Sequence, residues 1–231
     1  MKEILKKHNI ELETKELKKF EKFLSIFIET NSQINLSAIR EPEEIIEKHF
    51  IDSILLNAFI ELKNWEKTKI ADLWTWWWFP WIPLAITNPE VNFTLIDSTK
   101  KKIKQVEEFA KILKLNNINT VAARAEEIWK DINFREQFDF VVSRATALLP
   151  VLLEYTIPLL KTGGLFVAYK LDDKEELKSS KKALSKLWAK ILKIKNYRLA
   201  SQKRTYVFIQ KVSPTHKKYP RNVWIPIKTP L

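Results

Sequence analysis

The chain changes its period near residue 69. Before that point apolar residues recur at helical spacing. "KELKKFEKFLSIFIE" places Leu17, Phe20, Leu24, Phe27 and Ile28 on one face, as a helix packed on a core requires. "EPEEIIEKHFIDSILL" sets Pro42 and its acidic neighbours at a helix start, where a fixed φ and negative charge suit the first turn. From Lys69 onward short apolar runs take over: "KIADL" (69–73), "FTLID" (93–97), "NTVAA" (119–123), "FDFVVSR" (138–144), "GLFVAYK" (164–170), "KILKIKNYRL" (190–199) and "RTYVFIQKV" (204–212). Helical stretches at 80–87, 100–115, 148–160 and 173–187, with a short turn near 126–131, separate the first six.

Strands alternating with helices predict an α/β fold with a mainly parallel sheet covered on both faces. Only a short link around Ser201 joins the last two runs, which predicts an antiparallel hairpin at one edge. The expected organisation is a helical extension over 1–62, a Rossmann-like doubly wound domain of seven strands over 63–213, and a basic, proline-rich tail over 214–231.

Composition narrows the chemistry. The 231 residues are 45% hydrophobic and 29% charged, the balance of a globular chain that buries a core. There is no cysteine, which excludes disulfides and thiolate chemistry. His8, His49 and His216 are too scattered for metal-ligand spacing, so no metal is expected. No run of 18 apolar residues and no apolar leader occur; the expectation is a cytoplasmic protein without a membrane partner. A net charge of +12 suits a polyanionic partner such as nucleic acid. Only seven of the 40 basic residues are arginine, a lysine excess that an AT-rich genome would also produce.

The tryptophans are anomalous. "ADLWTWWWFPWIPLAI" carries Trp74, Trp76, Trp77, Trp78 and Trp81 within eight residues. The whole chain has nine tryptophans but only two glycines, Gly163 and Gly164, against an ordinary glycine usage of about 7%. Trp188 lies between a helical and a strand pattern, the left-handed position after a helix that glycine dominates. Trp65 and Trp129 fall in polar turns, and Trp224 in the proline-rich tail. Some bacterial codes read UGA as glycine and others as tryptophan. The pattern therefore predicts that all nine tryptophans are glycine in the living protein; a genuinely tryptophan-rich chain is the alternative.

With glycine restored, residues 72–83 become an acid ending a strand, a G-x-G-x-G turn and a helix entered near proline. Such a turn lets a nucleotide cofactor approach the backbone. Asp97 ends the second strand, 25 residues after Asp72, where an acid can accept both ribose hydroxyls or cap the next helix. "ARAEEI" follows the third strand and lets Ala125 and Glu126 flank an adenine ring. Arg144 closes the fourth strand at the sheet edge where ligands bind; a plain ion pair is the other reading.

"INLSAI", "EKHFIDS", "ADLWTWWWFPWIPLAI", "LIDSTKKK", "ARAEE", "VVSRA", "GGLFVAYK" and "KKYPRNVWIPIKTPL" occur in this order. From about residue 16 to the end the chain resembles bacterial small-subunit ribosomal RNA guanine methyltransferases of the glucose-inhibited division protein B type. The departures are the tryptophans, Leu171 where glycine usually follows "AYK", and "ETNSQINL", where a tryptophan often precedes the asparagine. The resemblance implies a class I methyltransferase fold and transfer of a methyl group from S-adenosyl-L-methionine to ring position 7 of a guanine in 16S ribosomal RNA. It also implies cofactor contacts at Trp74 (glycine in the family), Phe79, Ala125, Glu126 and Arg144.

Ring position 7 is an unprotonated lone pair, so this reaction needs positioning rather than a general base, and no acid–base residue is expected. Basic residues near the sheet edge and in the tail, Arg144, Lys170, Lys217, Lys218 and Arg221, are the candidates for phosphate contact with the RNA or the small ribosomal subunit. A methyltransferase with another substrate, and a non-catalytic RNA-binding module that stacks bases on the tryptophans, remain alternatives.

Overall fold

The computed structural model describes residues 1–60, 68–73, 78–144, 147–171 and 174–231, with the side chains of 125 and 126 excepted. The boundary expected at 62/63 lies outside these residues, as do Trp65, Trp74, Trp76 and Trp77.

An N-terminal helical layer comes first: α1 (Lys2–Lys7), α2 (Thr14–Ile34), α3 (Pro42–Ile45), a π-helical turn over Ile46–Ile51 and α4 (Asp52–Ile54). Helix α2 opens with a capping box between Glu13 and Glu16, which satisfies otherwise orphaned backbone donors. Its buried face is Leu17, Phe20, Phe23, Phe27 and Asn31. Ile28, expected on that face, is 36% exposed; Phe23, one turn before Phe27, takes the core position and stacks on Phe50 at 4.8 Å. Each phenylalanine so buried stabilises the layer by about 1.5–3 kcal/mol.

The sheet has seven strands in the order β3-β2-β1-β4-β5-β7-β6. These are β1 (Lys69–Leu73), β2 (Asn92–Asp97), β3 (Ile118–Ala122), β4 (Phe138–Arg144), β5 (Leu160–Leu171), β6 (Ala189–Leu199) and β7 (Gln202–Lys211). The first five pair in parallel, while β7 runs antiparallel to both β5 and β6. The expected seven-stranded Rossmann-like sheet with an antiparallel edge hairpin is present. Ala200 and Ser201, at φ of 46° and 65°, turn that hairpin, the paired left-handed geometry that matches strand twist.

The helices between the strands are α5 (Trp81–Thr87), α6 (Lys100–Ile112), α7 (Ala125–Ile128), α8 (Leu149–Thr156), α9 (Lys174–Ser179) and α10 (Lys181–Lys186); α11 (Ile225–Lys228) lies in the tail. One core cluster joins the N-terminal layer, α5 and α6 to one face of the sheet. A second joins α8 and α10 to the other. Strand β5 starts at Leu160, four residues before the expected 164, with a register irregularity opposite Phe138–Phe140. Gly163, at φ +88°, absorbs that irregularity.

Three of the five described tryptophans stand in left-handed backbone: Trp78 at φ 61°, Trp188 at 55° and Trp224 at 69°. A bulky side chain is a genuine outlier there. Trp188 follows the last residues of α10, the place where glycine ends helices. Trp81 is wholly buried, and its indole Nε1 has no hydrogen-bond partner. Trp129 differs: it is buried in right-handed backbone at φ −76°, so its conformation makes no demand for glycine.

Candidate active site

The strand order reverses between β1 and β4, and open α/β sheets bind ligands at the carboxyl edge beside such a switch point. Two acids stand there on adjacent parallel strands. Asp72 pairs with Leu95 of β2, and Asp97 ends β2. Both are buried. Burial first, and the Asp97 charge second, push the Asp72 carboxyl well above the usual carboxylate range. Its Oδ2 has no hydrogen-bond partner. Asp97 Oδ1 accepts from the backbone N–H of Thr99 at 2.9 Å, so it shapes the turn before α6 while Thr99 occupies the cap position.

Arg144 ends β4 and reaches into the N-terminal layer. Its Nη2 donates to Asp52 Oδ2 at 3.0 Å and to the Lys48 carbonyl at 2.7 Å, and lies 3.3 Å from His49 Nδ1. Its Nη1 is buried without a partner. The ring of Phe79 lies 5.8 Å from this guanidinium and stacks on His49 at 4.6 Å. Burial, then the charges of Arg144, Arg204 and Lys48, hold His49 down to about 3. The imidazole is thus neutral, and with Nδ1 facing Arg144 its proton sits on Nε2, 3.0 Å from Ser37 Oγ.

Three tyrosines fasten this layer to the sheet. Tyr197 of β6 donates to Asp52 Oδ1 at 2.6 Å, Tyr206 of β7 to the Asp52 carbonyl at 2.7 Å, and Tyr169 of β5 to the Ser53 carbonyl at 3.1 Å. The π-helical turn carries His49 in this arrangement, and such turns concentrate at functional sites.

The sequence-predicted residues fall into three places. Asp97, Phe79, Arg144 and the start of α7 at Ala125 and Glu126 gather at the carboxyl edge; Trp74 lies outside the described residues. Lys170 of β5 lines a cavity with Arg144, its Nζ held by Glu176 at 2.6 Å and the Ala147 carbonyl at 2.5 Å. Lys217, Lys218 and Arg221 line a separate pocket of about 630 Å³ with Trp129, Lys130 and Arg135. Lys217 and Lys218 are exposed there. Arg221 instead forks onto buried Glu154, with Nε to Oε1 at 2.8 Å and Nη2 to Oε2 at 2.6 Å, and anchors the tail to α8. The sequence reading assigned no role to Asp52, His49 or Tyr197. "EKHFIDS" was the available signal for His49 and Asp52, but their partner Arg144 lies more than 90 residues away, and Tyr197 meets Asp52 across 145 residues.

A family model described as rRNA small subunit methyltransferase G matches residues 16–206. The chain belongs to that family. A Ribosomal RNA small subunit methyltransferase G of Desulfitobacterium hafniense is 45% identical over 226 residues, covering 96% of this chain and 92% of the relative. Its counterpart in Fusobacterium nucleatum is 42% identical over 232 residues, covering 100% and 98%. Among solved structures, a 16S rRNA (adenine(1408)-N(1))-methyltransferase from Catenulisporales acidiphilia matches with a TM-score of 0.55 and 14% identity over 65% of this chain and 87% of that one. The AdoMet complex of M. jannaschii TYW2 matches at 0.53 and 16% identity over 70% and 76%.

These two likenesses bear on the fold, which is that of class I methyltransferases, as expected. Family membership makes the chain an rRNA methyltransferase, not a non-catalytic RNA-binding module. Among the described residues no helix is long and apolar enough to cross a membrane, and no group of three His, Asp or Glu could hold a metal ion.

Proposed function

We propose that this rRNA small subunit methyltransferase G family member transfers a methyl group from S-adenosylmethionine to ring position 7 of a guanine in 16S ribosomal RNA, in the cytoplasm. The observation that carries the reading is the buried acid pair Asp72 and Asp97 beside Arg144 at the switch point of the sheet. S-adenosylmethionine is cationic and carries a ribose diol. The unpartnered, charge-starved Asp72 carboxyl suits the cation, and the strand-end Asp97 carboxylate suits the diol. Ala125 and Glu126, at the start of α7, would flank the adenine. Phe79, Arg144 and residue 74 would bound the rest of the cofactor.

The nine tryptophans are read as glycine in this proposal. The left-handed φ of Trp78, which glycine adopts without strain, supports the substitution.

When bound, the cofactor supplies a methyl carbon on a sulfonium sulfur. Ring position 7 of guanine offers an unprotonated lone pair to that carbon, so the protein would need to supply no base. The protein's task is alignment and exclusion of water. His49, neutral and shielded beside Phe79, orients Arg144 rather than moving a proton. The tail lysines Lys217 and Lys218 would meet RNA phosphates; Arg221, spent on Glu154, would hold the tail in place for them, and Lys170, spent on Glu176, would brace the carboxyl edge rather than meet a phosphate.

Small ribosomal subunits lacking the modification are incubated with methyl-labelled S-adenosylmethionine and the protein, and the product is mapped. Label at ring position 7 of a 16S guanine is expected. Label on protein, on a small molecule or at another ring position would overturn the reading.

A further inference from the structure

Beyond β4, on the side of the switch point away from Asp72 and Asp97, the carboxyl edge holds a cavity of about 460 Å³. That volume lies within the range of small-ligand sites. Its polar lining includes Arg144, Arg204 and Lys170 against Asp52 and Glu176, leaving one net positive charge. Two guanidinium donors on these lining residues, Arg144 Nη1 and Arg204 Nε, are buried without hydrogen-bond partners. Unpartnered buried donors are costly, and an acceptor in the cavity relieves them once the guanidinium side chains turn toward it.

The remaining lining is aliphatic and aromatic. Leu148, just before α8, and Leu171, at the end of β5, are 61% and 60% exposed. Tyr197 presents an aromatic wall, its ring backed by Tyr206 at 4.6 Å and its hydroxyl fixed on Asp52. Exposed leucines and a braced aromatic ring suit an unstacked base.

We propose that this cavity receives the acceptor base, with the carbonyl oxygen at guanine position 6 accepting from Arg204 Nε and Arg144 Nη1. The inference rests on the guanine reading above and adds its means of selection. Adenine carries the same ring nitrogen at position 7 but an amino group at position 6. That amino group would set donor against donor and leave both guanidinium N–H groups unpaired. Engaging the carbonyl alone leaves the lone pair at position 7 open to the methyl carbon. Leu148, Leu171 and Tyr197 bracket the ring.

The test uses the full chain as its own host translates it, with RNA carrying guanine, inosine or 2-aminopurine at the mapped position. All three keep the nitrogen at position 7; 2-aminopurine lacks the carbonyl at position 6. Guanine and inosine should be methylated at similar kcat/KM, and 2-aminopurine at least tenfold more slowly. Arg204→Met should lower kcat/KM for guanine tenfold or more with little effect on 2-aminopurine, and Arg204→Lys should restore part of the difference. Calorimetric affinity for S-adenosylmethionine should stay unchanged, which also reports that the variant is folded. Leu171→Glu, at an exposed position, should raise KM for RNA alone. Wild-type methylation of 2-aminopurine at the guanine rate, or equal losses on both bases in Arg204→Met, would overturn the proposal while leaving the guanine reading intact. Failure of the wild type to label any guanine at position 7 would overturn both.

Discussion

Tyr197 and Asp52, 145 residues apart in sequence, meet in a hydrogen bond of 2.6 Å. The same carboxylate holds Arg144 through its other oxygen, at 3.0 Å. The Asp52 side chain is 1% exposed and that of Arg144 11%. Removing one member of so buried a pair leaves an uncompensated charge, at a cost of about 3–5 kcal/mol.

Asp52→Ala should therefore lower unfolding free energy by about 3–5 kcal/mol in denaturant titration. Tyr197→Phe, which removes one charge-assisted hydrogen bond, should cost about 1.5–3 kcal/mol. Equal losses in the two variants would show that the carboxylate matters only through the tyrosine.

His49 gives stability a pH dependence. The unfolded chain takes up a proton near the ordinary value of 6.5, whereas the folded protein holds the imidazole neutral down to about 3. Its contribution is complete above pH 6.5 and falls as the pH drops toward 3, because the unfolded state then binds the extra proton. At pH 5 the loss is about 2 kcal/mol, at roughly 1.4 kcal/mol per unit. His49→Gln should flatten the stability profile between pH 6.5 and 4, measured by denaturant midpoints. An unchanged slope would assign the acid sensitivity to other groups.

Trp188 offers a direct reading of the glycine expectation. It is 57% exposed and left-handed, so the indole gains little from packing while its backbone is strained. Trp188→Gly should raise stability by about 1–2 kcal/mol, read as a shift in thermal midpoint, whereas an ordinary exposed tryptophan would lose stability. At gene level all nine tryptophan codons should be UGA, with Gly163 and Gly164 encoded by GGN. UGG at Trp74, Trp76 and Trp78 would refute the expectation.

Charge reversal of Lys217 and Lys218 should weaken RNA binding and lower the magnitude of its salt slope by about 1–2, since fewer counterions are released. Affinity for S-adenosylmethionine should not change. Arg221 is left out of this pair because Arg221→Glu would set an acid against buried Glu154 and unfasten the tail. RNA affinity and salt slope that match wild type would remove the tail from the RNA-binding surface.

The contrast between Lys218 and Arg221 indicates what the sequence could reveal. The strands were legible because "KIADL", "FTLID" and "FDFVVSR" carry their burial as a local pattern. The acid ending β2 and the arginine ending β4 followed from position on those strands. Arg221 looked like the neighbouring lysines because its partner Glu154 lies 67 residues away on another element. The π-helical turn was hidden for a related reason. One extra residue in a helix leaves no periodic mark, and His49 acquires its neutral state only from burial and the cations around it. Leu160 read as the end of a helix because the turn at Gly163 interrupts the alternation of β5.

The tyrosine clamp also orders events in time. Residues 46–54 come off the ribosome early, yet two of the three hydroxyls that fasten them belong to β6 and β7. A chain still being synthesised can stack Phe23 on Phe50 long before Tyr197 and Tyr206 exist to grip Asp52. Arg144 then meets a carboxylate that Tyr197 does not yet hold. The enzyme's working geometry is thus a late product of synthesis, completed when the final hairpin closes over the first helices.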